Sequence, residues 1–89
     1  MKDDKRVAEM IDQIMKRMDM LINDTSVPEN VRTAITQAKS HLSTDEDYIV
    51  RVSSAIYNLD VVSNDINLPP QARTSIWNIL SMLESIKTS

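Results

Sequence analysis

The sequence predicts an all-α protein, a compact four-helix bundle made of two similar helix-turn-helix hairpins. Three observations carry this. The stretch from Asn23 to Ile35 recurs from Asn64 to Ile76 at an offset of 41, with Asn, Asp, Pro, Arg, Thr and Ile coinciding and Leu68 answering Val27. Further out, Asp60 matches Asp19, Ser81 matches Ser40 and Leu83 matches Leu42. Apolar residues recur at helical spacing, and no stretch alternates with period two as a half-buried strand would. Prolines sit where helices should open, and asparagines sit where they should close.

The first helix spans about residues 3–22. Val7, Ala8, Met10, Ile11, Ile14, Met15, Met18, Leu21 and Ile22 fall within one arc of about 160° at 100° per residue, with Met20 outside it. Lys5, Glu9, Asp12, Gln13, Lys16 and Asp19 take the other side. Asp3 and Asp4 suit the positive end of the helix dipole. The chain has no glycine, so Asn23 is the natural left-handed residue to end this helix, and Asn64 stands at the equivalent place in the second copy.

The second helix, about 28–42, opens at Pro28, where a missing N–H costs nothing, with Ser26 as a capping acceptor. Val31, Ala34, Ile35, Ala38 and Leu42 form its one apolar stripe. Ser43 to Asp47 breaks the chain, and Thr44 with Asp47 resembles a capping box. The third helix, about 45–63, is apolar on two sides. Ile49, Val52, Ala55, Ile56, Leu59 and Val62, with Tyr48 at the edge, form a core face. Val50, Tyr57 and Val61 form a second stripe nearly opposite, with Ser53 and Asp60 between the faces on one side and Arg51 and Asn58 on the other. Such a helix is central or presents a surface to a partner. The fourth helix, about 69–87, turns Ala72, Ile76, Ile79, Leu80, Met82, Leu83 and Ile86 to the core, and Trp77 lies about 60° past Leu80. A repeat of this length is in the range of HEAT-type helix pairs, but open solenoids need three or more units, so two hairpins should close face to face.

Eighty-nine residues make one small domain. The absence of cysteine excludes disulfides, thiolate metal sites and cysteine nucleophiles, and fits a cytoplasmic protein. The absence of glycine excludes phosphate-cradling loops. No apolar run reaches the length of a membrane span, and the charged start Met1 to Arg6 does not read as a signal peptide. A net charge of −3 with three aromatic residues argues against a nucleic-acid partner. The support for a nucleic-acid accessory role, the alternative reading, is a loose cluster of Lys2, Lys5, Arg6, Lys16 and Arg17 offset by acidic neighbours.

Four stretches resemble a known family. Ser53 to Asp60, Ser63-Asn64-Asp65, Pro69 with Ala72-Arg73-Thr74, and Ile76 to Ile79 together look like the small archaeal family of uncharacterised proteins numbered 0147. The resemblance covers nearly the whole chain and implies an archaeal cytosolic four-helix bundle. It implies no activity, substrate or catalytic residue.

No constellation of catalytic residues or metal ligands emerges, so the chain is expected not to be an enzyme and to need no cofactor. His41 stands alone at the edge of a stripe. Asp45, Glu46 and Asp47 are adjacent and point in different directions, which suits a helix dipole better than a cation. Asp24 with Arg32, and Asp65 with Arg73, repeat at a spacing of eight and read as paired turn clamps, the Asp holding backbone N–H groups and the Arg bridging back. The candidate interaction surface is Val50, Tyr57, Val61 and Trp77. For Trp77 the bland alternative is a plug between helices. The functional expectation is an interaction module for another protein chain or for itself, through a homodimer on the third helix.

Overall fold

A computed structural model describes residues 5–88, and the expected helix start at Asp3 and Asp4 lies outside them. The described residues form α1 (Lys5–Ile22), α2 (Glu29–Leu42), α3 (Tyr48–Val62) and α4 (Pro70–Thr88). The linkers are short, so successive helices run in opposite directions. α1 packs on α2, α2 on α3, α3 on α4, and α4 returns to α1, which closes the ring. The radius of gyration is 12.4 Å, against about 12 Å for a compact domain of this length. The hairpins have therefore closed on each other and do not splay as a solenoid.

The core is the set of stripes read from the periodicity. Ile14, Met18, Ile35, Val52, Leu59, Ile76, Ile79 and Leu83 are fully buried at its centre. All five apolar stripe residues of α2 are buried. Met10, Met15, Ile22, Tyr48, Leu80 and Met82 pack against the rim of this core. Ala8, at the edge of the α1 arc, is exposed.

The helix ends differ from expectation. No residue among those described has a positive φ, so neither Asn23 nor Asn64 is a left-handed cap. Instead the last turns tighten. The Asp24 N–H donates to Leu21 O at 3.1 Å, and the Asp65 N–H donates to Val62 O at 3.1 Å. These short-range bonds satisfy terminal carbonyls with ordinary right-handed backbone, so glycine is not required.

The helix starts differ too. Pro28 is the N-cap of α2, with extended ψ, and not its first helical residue. Ser26 donates to Asp24 and caps nothing. α3 begins at Tyr48 and not at Asp45. Asp47 is its cap, with Oδ1 accepting the Ile49 N–H at 3.3 Å. Thr44 takes the Glu46 N–H, so there is no Thr44–Asp47 box. The later start leaves Ile49 in the first turn, at one end of the bundle, where it is 37% exposed and not part of the core. Arg51, expected at the border between stripes, is buried.

Candidate functional site

Two features of the fold gather the candidate residues. The first is the pair of twin turns, which meet at one end of the bundle. In each, the Asp side chain folds back on its own turn: Asp24 Oδ1 accepts the Ser26 N–H at 2.9 Å, and Asp65 Oδ1 accepts the Asn67 N–H at 2.8 Å. Each turn closes with a second bond, Val27 N–H to Asp24 O and Leu68 N–H to Asp65 O. Val27 and Leu68 then drop into the core. Arg32 Nε donates to Val27 O at 3.0 Å, and Arg73 Nη2 donates to Asp65 O at 3.1 Å. Both arginines hold backbone carbonyls of the turn.

The hydrogen bonds hold both carboxylates below the ordinary carboxylate value of 3.8. For Asp24 the cause is the Ser26 hydroxyl and then the Ser26 amide. For Asp65 it is the Asn30 side chain and then the Asn67 amide. The Asn30 bond crosses between the hairpins, with Nδ2 donating to Asp65 Oδ2 at 3.0 Å. The offset of 41 makes Gln71 and Asp24 the symmetry counterparts of Asn30 and Asp65. They line an open cleft of about 190 Å³ between the end of α1 and the start of α4, together with Arg17, Met20, Leu21, Ala72 and Ser75. One contact of the pseudo-symmetric pair is closed by a hydrogen bond, and its mate is open.

The second feature is the outer face of α3. Tyr57 is 72% exposed, Val61 68% and Val50 45%. They point about 180° away from Val52, Ala55 and Leu59, as helical rotation requires. Trp77 is 57% exposed, so it is not a plug between helices. Gln71 and Ser75 border the α1 cleft, so Trp77, about 160° round from Ser75, lies on the flank of α4 that leads towards α3.

Charge is much sparser on α3 than on α1. α1 alone carries Lys5, Arg6, Glu9, Asp12, Lys16, Arg17 and Asp19. α3 carries only Arg51 and Asp60. Arg51 turns inward, with Nε donating to Glu46 O at 2.8 Å and Nη1 to Leu42 O at 3.2 Å. The outer side of α3 therefore reads Val50, Ser53, Ser54, Tyr57, Asn58, Val61, with Asp60 at its edge as the one exposed charge. Asn58 Nδ2 donates to Gln37 Oε1 on α2 at 3.3 Å. Sequence reasoning found the apolar members of this face and missed Ser54, because a small polar residue gives no signal in a hydrophobic pattern.

The basic cluster fares differently. Lys16 pairs with Asp12 at 3.2 Å, and Lys39 of α2 pairs with Asp19 at 2.6 Å. Lys2 lies outside the described residues. Among the described residues, no three His, Asp or Glu side chains gather as metal ligands would. His41 is half-buried at the rim, and Asp45 and Glu46 are exposed in the linker before α3. No helix among the described residues is long and apolar enough to cross a membrane.

The model of the Uncharacterised protein family (UPF0147) matches residues 1–86. The chain belongs to UPF0147. The resemblance read from the C-terminal half is thereby borne out. A UPF0147 protein of Methanocaldococcus jannaschii is 44% identical over 85 residues, covering 94% of this chain and 91% of its own length. One from Archaeoglobus fulgidus is 38% identical over 76 residues, covering 85% and 87%. The crystal structure of the unknown function protein MMP1188 superposes with a TM-score of 0.87 at 38% identity, over 97% of this chain and 99% of that one. A UPF0147 structure from Thermoplasma acidophilum gives 0.83 at 32% identity, over 89% and 94%. The four-helix arrangement is thus the UPF0147 fold, shared by archaeal relatives along nearly their full length.

Proposed function

We propose that this protein is a non-enzymatic, cytoplasmic interaction module that docks another protein chain on the outer face of α3, flanked by Trp77. One observation carries the reading: Tyr57, Val61 and Val50 are exposed along one uncharged stripe of α3, and Trp77 is exposed on the flank of α4 beside it. Interface centres are depleted in charged residues and enriched in Tyr and Trp, because rings bury much area while fixing few torsions. Exposed apolar groups grouped on one face mark contact sites more often than scattered ones do.

The test compares wild type with Tyr57→Glu. Both are measured by light scattering over a concentration series and by pull-down from a native lysate. Tyr57 supports no core contact, so the variant should keep its helicity by circular dichroism. Association or capture by the wild type that the variant loses supports the reading. A strictly monomeric wild type that captures nothing, or a variant that behaves as the wild type, sinks it.

A further inference from the structure

We infer that the occupant of this face is a second copy of the same chain, docked α3 against α3 in antiparallel sense about a two-fold axis level with Ala55 and Ile56. The inference rests on the reading of the face as a docking surface and adds its partner and geometry.

The seam of the face is Val50, Ser54, Tyr57, Val61. Its spacings of four, three and four are those by which two helices mesh along a heptad seam. The same spacings read identically in reverse. Antiparallel pairing about the midpoint sets Val50 level with Val61 of the second copy and Ser54 level with Tyr57 of the second copy. The match is self-complementary in size as well as spacing. Valine meets valine at both ends, and in the middle the Tyr57 ring lies over the smallest residue of the seam. Two-fold contacts demand this reciprocity, each residue meeting the residue that meets it. An unrelated partner would place no such condition on the seam.

Charge agrees with the same geometry. The seam holds no charge, so a homotypic contact between two chains of net charge −3 brings no like charges together at its centre. Asp60 is the one exposed charge on the helix beside it. In the antiparallel arrangement Asp60 comes beside Ser53 of the second copy. An interface of standard size takes about 800 Å² from each chain, about a seventh of the 5483 Å² exposed. The outer side of one helix of four, with the Trp77 flank, is a surface of that order.

Sedimentation and light scattering of the full chain, from about 1 μM to about 1 mM, should show reversible growth from the monomer mass of 10.1 kDa to twice that value. Tyr57→Glu should raise the dissociation constant at least about 30-fold, as loss of a central anchor does. Orientation is read by cross-linking, since the chain has no cysteine of its own. An oxidised mixture of Val50→Cys and Val61→Cys chains should yield the mixed disulfide dimer, and either chain alone should yield little. Val50 and its own copy would lie about 16 Å apart along the axis, beyond the roughly 7 Å that a disulfide spans. A wild type that stays monomeric to the top concentration overturns the self-association inference. In that case, capture of another chain by the wild type and not by Tyr57→Glu would leave the docking surface standing with a different occupant. Homodimer disulfides from Val50→Cys alone would overturn the antiparallel geometry.

Discussion

Arg32, Arg51 and Arg73 occupy the same place in the first turn of α2, α3 and α4. Each backbone N–H donates to the carbonyl of the cap residue four positions earlier, Pro28, Asp47 and Pro69 respectively. Each side chain reaches back to carbonyls of the preceding linker. Arg51 ties two carbonyls and is buried, whereas Arg73 ties one and is exposed. Replacing Arg51 with Met keeps the apolar stem and removes the donors, which should cost about 1–3 kcal/mol by urea denaturation, and Arg73→Met should cost under about 1 kcal/mol. The two turn aspartates make a pH prediction. Their hydrogen bonds lower both carboxyl values in the folded state. The unfolded chain therefore takes up protons first as pH falls. The stabilisation is present above the unfolded carboxylate value of about 3.9 and is lost as pH drops through the lower folded values. Urea midpoints measured at pH 7 and near pH 3 should fall less for Asp65→Asn than for wild type. An equal fall in both would show that this carboxylate does not contribute.

At the scale of elements, the helices are defined by their ends as much as by their stripes. Asp47 caps α3 through the Ile49 N–H, so Asp47→Ala should cost about 1 kcal/mol, while Thr44→Ala, outside the helix, should change stability by only a few tenths. The same logic applies to Asn23. Since its φ is negative, Asn23→Gly gains no relief of strain and only adds freedom to the unfolded chain. A loss of about 0.5–1 kcal/mol is expected by thermal melting. A gain in stability there would mean that the residue is held in the left-handed region. The 41-residue repeat was legible in the sequence because its turn residues repeat chemically. The way those turns close was not legible, since an Asn or Asp at a helix end serves a left-handed cap or a side-chain turn equally well, and the neighbouring bonds decide between them.

At the scale of the whole molecule, one continuous core holds all four helices. Leu59 and Ile35 are fully buried on the facing sides of the helix pair α2 and α3, which pack most extensively. A domain of this length has a total stability on the order of 5–13 kcal/mol. Leu59→Ala should remove about 2–5 kcal/mol of it. A cooperative melt shifted down by well over 10 °C is the expected calorimetric result. A shift of only a degree or two would mean that the bundle collapses around the cavity.

Periodicity determined the helices, their buried faces and the two-hairpin architecture of this UPF0147 chain, because those follow from which residues cannot face water. It also placed Val50, Tyr57 and Val61 on one stripe, since rotation per residue needs no tertiary information. Only the tertiary structure decided that this stripe and Trp77 stay outside. A helix apolar on two sides is compatible with a central position, and the ring of four helices leaves α3 with neighbours only at its flanks. The tertiary structure likewise decided that Arg51 turns inward to two carbonyls, and that Asn30 closes on Asp65 while Gln71 and Asp24 stand apart across a cleft. Those outcomes depend on distances between segments far apart in the chain, which local pattern does not encode.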